Sequence, residues 1–369
     1  MKNIMIIANN DAWVYKLRKE TISALISQGF NVSISSPKGE FTPLLIKMGC
    51  SFIESNLDRR GMNPIADLKL LFYYIRLIKS HSPNVVLAYT IKPNLYGSFA
   101  ARWIKVPYIN NITGLGSGFK KKSLLQYVLT MMYKLSLKKS HCVFFQNTED
   151  LSILLKKGIV KNNYQLIPGS GVNLNDFSFL EFPAQEKPLT FVFVGRIMKD
   201  KGIDQYLQAA KIIKDKYTNV QFNVLGFIEK TQPQYRELIQ RYNDEGYINY
   251  IGFQSDVRPY IEQAHCIIQP SHGGEGLSNV LLETAAMGRV LIASNIPGCR
   301  ETIDVGKNGF LFEAGNTKDL VKKIKEFILL SYSSKKEMGI YSRKKIEKEF
   351  DRSLVVKAYL DKVNELFSQ

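Results

Sequence analysis

Short apolar runs alternate along the chain with longer stretches in which apolar residues recur every three or four positions. In the first half the runs are Asn3–Ala8, Asn31–Ser35, Ser51–Glu54, Val85–Tyr89, Tyr108–Ile112 and Cys142–Gln146. They are rich in Val, Ile and Phe, and several are apolar throughout, as buried parallel strands are. Helical patterns lie between them. One covers Tyr15–Gln28 and stops at Gly29; another, Ile65–Lys79, follows Asn63-Pro64, a start signal with proline at the first helical position. The alternation then begins again. Leu189–Val194, Gln221–Leu225, Tyr247–Gly252, Cys266–Gln269 and Val290–Ser294 read as strands. Helices are predicted near Ile203–Lys214, Gln234–Tyr242, Val257–Gln263, Leu277–Ala286 and Lys318–Leu330, and a basic helix over Ser342–Phe367.

Two βα series of similar size predict two Rossmann-like, doubly wound α/β domains with a ligand cleft between them. The competing topology is a single (β/α)8 barrel. Against it stands Glu181–Pro188, a polar segment with two prolines that reads as a midpoint linker. The expected division is 1–183, 184–350 and a C-terminal helix, 351–369, that crosses back to the first domain. A chain of 369 residues also suits two domains better than one.

Charge adds a direction to this picture. Lys and Arg number 50 against 33 Asp and Glu, a net +17. Residues 1–183 hold 23 basic and 10 acidic side chains, a net +13, and the remainder is only +4. Such an excess favours an anionic partner. Nucleic acid is a poor candidate, because no zinc finger, RRM-like aromatic strand or recognition-helix pair is present. The four cysteines show no CxxC spacing and the four histidines gather with no cysteine or carboxylate, so neither a disulfide framework nor a metal site is expected. Nothing in the sequence reads as a signal peptide or a transmembrane helix.

Two constellations carry chemistry. In Phe191-Val-Phe-Val-Gly195-Arg196-Ile-Met-Lys-Asp-Lys201-Gly202 a buried strand ends at a glycine, with two cations beside the next helix start. That arrangement suits a diphosphate. In Ser271-His-Gly-Gly-Glu275-Gly276-Leu277-Ser278-Asn279-Val-Leu-Leu-Glu283 a glycine-rich loop leads into a helix and carries two carboxylates. A carboxylate would repel phosphate but accepts strong hydrogen bonds from sugar or ribose hydroxyls.

Together with Ile296-Pro-Gly298-Cys-Arg-Glu301 and Asn308-Gly-Phe-Leu-Phe312, these elements resemble the retaining glycosyltransferases of family 4, which have the GT-B fold. Thr90-Ile-Lys-Pro-Asn-Leu-Tyr-Gly97 and Asn111-Ile-Thr-Gly-Leu-Gly116 are similar to bacterial polysaccharide enzymes that act on undecaprenyl-diphosphate-linked sugars. The resemblance implies a metal-independent hexosyltransferase using a nucleotide sugar, a UDP-sugar above all, as substrate and needing no cofactor. Gly195, Arg196 and Lys201 would hold the diphosphate, Glu283 the ribose hydroxyls, and Gly252-Phe253 would border the base. Glu275 and the backbone of Gly276, Leu277, Ser278 and Asn279 would bind the transferred sugar and phosphate. The sequence departs from the family at Ala8–Ala12, where many relatives are glycine-rich, and at Ile91, where many have a histidine. Thr90 and Lys92 are the remaining first-domain candidates for catalysis. A UDP-N-acetylglucosamine 2-epimerase is the alternative on the same fold.

The resemblance also implies work at the cytoplasmic face of the bacterial inner membrane. In Lys120–Lys139, the residues Leu124, Leu125, Val128, Leu129, Met132 and Leu135 are expected on one helical face. Lys120, Lys121, Lys122, Lys138 and Lys139 flank it and would meet anionic headgroups.

Overall fold

The computed structural model describes residues 2–55, 63–115, 124–273 and 275–368, the side chains of Leu124 and Leu125 excepted. The chain packs as two compact units, Met1–Gly171 with Arg352–Gln369, and Val172–Asp351. Each has its own parallel sheet, which excludes a single barrel.

The first sheet contains β1 (Lys2–Ile7), β2 (Phe30–Ser36), β3 (Ser51–Glu54), β4 (Val85–Tyr89), β5 (Tyr108–Ile112), β6 (Cys142–Phe145) and β7 (Tyr164–Leu166). Their order is β3-β2-β1-β4-β5-β6-β7. Strands β4, β5 and β6 are buried at every position, the consequence of helices on both faces. Alternation along β1 sorts its side chains. Ile4 and Ile6 join the core that also holds Val14 and Leu25 of the helix Asp11–Ser27. Met5 and Ile7 face the opposite side, toward Leu70, Tyr74 and Ile78 of the helix Pro64–His81. That second helix starts as the sequence predicts: the Asn63 side chain accepts from Ile65 N at 2.9 Å, with Pro64 inside the first turn.

The basic tail is two helices, Tyr332–Glu349 and Arg352–Phe367, not one. The chain leaves the second unit between them. Arg352 is buried and bonds both carboxylate oxygens of Glu20 at 3.0 Å, while Val355, Tyr359 and Val363 complete the core of the first unit.

The second sheet contains β8 (Leu189–Val194), β9 (Val220–Leu225), β10 (Asn249–Gly252), β11 (Cys266–Gln269), β12 (Val290–Ser294) and β13 (Gly309–Phe312), in the order β10-β9-β8-β11-β12-β13. The order reverses between β8 and β11, the switch point at whose carboxyl ends ligands of doubly wound sheets bind. The polar segment Glu181–Pro188 packs on this unit, because Phe182 is buried in its core. Arg289, also buried, donates to the carbonyls of Leu180, Ile261 and Glu262.

At the amino end of this sheet, His265 accepts from Thr190 N at 3.1 Å and packs edge-on against Phe182. Burial, reinforced by the positive charge of Arg289, holds its pKa down to about 4. The unfolded chain therefore binds a proton that the folded chain refuses between pH 6.5 and about 4. Stability should fall through that window as pH drops, by up to roughly 1.4 kcal/mol per pH unit. Urea unfolding at pH 7 and pH 5 measures the slope, and His265→Gln should flatten it. An equal slope in the variant would assign the acid sensitivity elsewhere. All four cysteines are buried free thiols, with Cys50 pushed up to about 11 and Cys142 to about 12 by burial.

Candidate active site

The loop after β8 runs through Gly195 and Arg196 to a single 3-10 turn, Lys199–Lys201, and then to Gly202 and the helix Ile203–Lys214. Gly202 has φ +73°, and a Cβ there would lie 1.9 Å from the carbonyl oxygen of Pro270. Only glycine lets the two loops approach so closely. The approach is fastened by His272 N and Gly273 N, which both donate to the carbonyl of Asp200 at 3.0 Å. The loops after β8 and β11 therefore form one body.

Across that body Lys201 Nζ donates to Glu275 Oε1. The two side chains are mostly but not wholly buried. Earlier on the same loop, Arg196 Nη1 donates to Glu229 Oε2 at 3.1 Å, the arginine half-exposed and the glutamate buried. Glu229 follows β9, 33 residues from its partner, and its role could not be read from local sequence. Both cations are thus aimed and charge-balanced.

From Glu275 the chain passes through Gly276 and Leu277 to Ser278, whose side chain caps the helix Asn279–Ala286. Gly298 backs this loop. Its carbonyl accepts from Ser278 N at 2.7 Å, and its own N–H donates to Glu301 Oε2 at 2.7 Å. With φ +83°, a Cβ on Gly298 would come within 2.8 Å of the Glu275 Cβ. The Ile296–Glu301 motif is therefore the wall behind Glu275. Glu283 lies on the capped helix, half-buried. Among the described residues, three buried polar atoms here lack protein partners: Asn279 Oδ1 at the helix start, Gln269 Oε1 at the end of β11 and Ser294 Oγ at the end of β12. Orphaned polar groups at sheet ends are costly unless a ligand satisfies them. Farther along the same carboxyl edge, Gly252 closes β10 and Phe253 is exposed, its ring 6.0 Å from that of Phe227.

Thr90 and Lys92 belong to the other unit, just past β4. Thr90 has φ +69°, a left-handed conformation that a β-branched residue adopts only under constraint, and among the described residues its buried Oγ1 has no partner. Lys92 Nζ donates to Asp67 Oδ1 at 2.8 Å. The surrounding motifs are joined by buried asparagines. Asn110 donates to Asn94 Oδ1 and Ser98 Oγ, and Asn94 donates to the carbonyl of Asn111. Gly116 lies outside the described residues, as do Gly274, Lys120, Lys121 and Lys122. In the Ala8–Ala12 loop, Asn10 caps the first helix, and buried Asp11 accepts from Phe41 N and the Thr42 hydroxyl. Those residues serve the loop's shape.

The helix Leu124–Leu137 corrects one expectation. Leu129 and Met132 pack inward with Tyr133 and Leu137, whereas Val128 and Leu135 are exposed. The helix is apolar on two sides, so a single stripe does not describe it. Among the described residues no helix is long and apolar enough to cross a membrane, and no three His, Cys, Asp or Glu side chains gather as metal ligands would.

Residues 176–345 match the family model of glycosyl transferases group 1, and residues 3–147 match that of glycosyl transferase 4-like proteins. Both models describe glycosyl transferases, one in each half of the chain. This glycosyltransferase is 26% identical to the N,N'-diacetylbacillosaminyl-diphospho-undecaprenol alpha-1,3-N-acetylgalactosaminyltransferase of Campylobacter jejuni, over 96% of each chain. It is 28% identical to the capsular polysaccharide biosynthesis glycosyltransferase CapM of Staphylococcus aureus over 80% of each. Its fold matches that of Anabaena HepE, crystallised with UDP and glucose, with a TM-score of 0.80 at 14% identity, over 99% of this glycosyltransferase and all of HepE.

Proposed function

We propose that this glycosyltransferase moves a hexose from a UDP-sugar to an undecaprenyl-diphosphate-linked glycan, with retention of anomeric configuration and without a divalent metal, at the inner face of the bacterial inner membrane. The observation that carries the reading is the Lys201–Glu275 pair at the switch point between β8 and β11, backed by polar atoms without partners among the described residues that a sugar nucleotide would satisfy. The acceptor class rests on the Campylobacter relative and the UDP donor on HepE. Neither matched family model is that of an isomerase.

The residues divide the work. Arg196 and Lys201 meet the donor diphosphate, exchanging part of their carboxylate contact for phosphate oxygens. As the sugar C1–oxygen bond breaks, the electron pair stays on the leaving diphosphate, and these two cations stabilise the growing charge. The acceptor hydroxyl bonds to C1 on the face the diphosphate leaves, and its proton passes to the departing oxygen. Glu275, with the backbone of Gly276–Asn279, positions the transferred sugar; Glu283 accepts from the ribose hydroxyls. Thr90 and Lys92 remain the candidates that the first unit offers for catalysis.

Incubation with a panel of nucleotide sugars and a polyprenyl-diphosphate-sugar acceptor, with and without EDTA, tests the reading. Transfer from a UDP-sugar, insensitive to EDTA, with the product anomer matching the donor by NMR, supports it. An inverted product or a strict metal requirement overturns the mechanistic part. The two carboxylates should separate kinetically. Glu283→Gln should chiefly raise the donor KM, because ribose contacts hold in ground and transition states alike. Glu275→Ala should lower kcat, since it touches the reacting sugar. Equal KM-only effects would take Glu275 out of the chemistry.

A further inference from the structure

In a doubly wound fold the outer face of each helix is ordinarily polar. Three helices of the first unit break that rule together. They are Pro64–His81, Ser98–Ile104 and Leu124–Leu137, whose buried residues all pack on one side of the sheet. The first two lie in contact, and Arg102 of the second donates to the carbonyl of Leu135 on the third. Their outward faces carry Ile65, Leu68 and Phe72 at helical spacing on the first, Trp103 on the second, and Tyr127, Val128, Met131 and Leu135 on the third. Ile65, Trp103 and Tyr127 are each about two-thirds exposed, at 67%, 70% and 66%. Apolar surface on this scale marks an interaction site.

The charge around it chooses the partner. Residues 64–81, 98–105 and 126–139 contain eight Lys and Arg and a single carboxylate, Asp67. Asp67 is already bonded to Lys92. Lys69, Arg76, Lys134 and Lys138 are exposed beside the apolar residues. Aromatic and aliphatic side chains ringed by unpaired-sign basic charge are what an anionic bilayer interface accepts: rings and chains enter the headgroup boundary while ammonium groups stay at phosphate level.

We infer that this three-helix face seats the enzyme on an anionic lipid bilayer, by insertion of its apolar side chains and not by basic attraction alone. The inference rests on the lipid-linked acceptor proposed above and names the surface that brings the enzyme to it.

Co-sedimentation of the full chain with vesicles tests this, without donor or acceptor present. Vesicles of phosphatidylcholine mixed with phosphatidylglycerol should retain the protein; phosphatidylcholine alone should retain it less. The variant Phe72→Gln/Trp103→Gln/Tyr127→Gln/Met131→Gln alters exposed positions only, so its melting temperature should hold while partitioning falls about tenfold or more. Its turnover on a water-soluble acceptor should match the parent. The variant Lys134→Glu/Lys138→Glu should weaken binding to the mixed vesicles and reduce its salt sensitivity. Unchanged partitioning of the glutamine variant overturns the inference. So does a dimer in sedimentation velocity that the glutamine variant dissolves, which would make the face a contact between copies. Because vesicle binding is read without turnover, failure to glycosylate a lipid diphosphate would refute the functional proposal and leave this result standing.

Discussion

Lys201→Ala should lower kcat/KM by about a hundredfold to a thousandfold, the loss expected when a fixed positive group is removed from a developing anion, about 3–4 kcal/mol. The expected effect on folding is far smaller. Lys201 and Glu275 are partly solvated, and pairs of that kind contribute about 0–1 kcal/mol. Urea unfolding and steady-state kinetics on the same preparation separate the two. Adding Glu275→Gln should restore any lost stability without restoring turnover, because it removes the carboxylate left unpaired. A kcat/KM within about threefold of the parent would take Lys201 off the diphosphate.

Gly202→Ala should be among the most damaging single-methyl changes in the second unit. The added Cβ would fall 1.9 Å from the Pro270 carbonyl oxygen, a backbone atom that cannot rotate away, and φ +73° is strained for alanine. The left-handed conformation alone costs about 1–3 kcal/mol, and the clash adds to it. The loops after β8 and β11 must then separate, which breaks the two bonds to the Asp200 carbonyl and draws Lys201 away from Glu275. We expect loss of stability and activity together, unlike Lys201→Ala. A variant that melts normally and turns over normally would show the two loops to be independent.

The contrast between these residues shows how far sequence alone reaches. Strands such as β4 and β12 were legible because burial on both faces leaves them uniformly apolar. Strand β7 was not, since Tyr164–Leu166 is a three-residue edge element that is half-exposed. The two apolar sides of Leu124–Leu137 could not be told apart by periodicity, as one faces the core and the other solvent. Within Ser342–Phe367, read as one helical stretch, no proline or glycine announces the break at Phe350–Asp351. At the site, Gly195, Arg196, Lys201, Glu275 and Glu283 were readable as types at meaningful spacing. The roles of Glu229 and Gly298, and in the first unit that of Asp67, were not, because each acts through a partner distant in sequence or through backbone geometry.

The return of Arg352–Phe367 to the first unit orders events on the ribosome. The second unit is a continuous stretch of chain and can close as soon as Asp351 has emerged. The first unit, although its sheet is translated earlier, must wait with part of its core uncovered until Val355, Tyr359 and Val363 arrive. The half made first is therefore finished last. During that interval the Asn111 amide lacks the Tyr359 hydroxyl it bonds at 2.7 Å, and Glu20 lacks Arg352, so the nascent first unit is the half that a chaperone would need to shield.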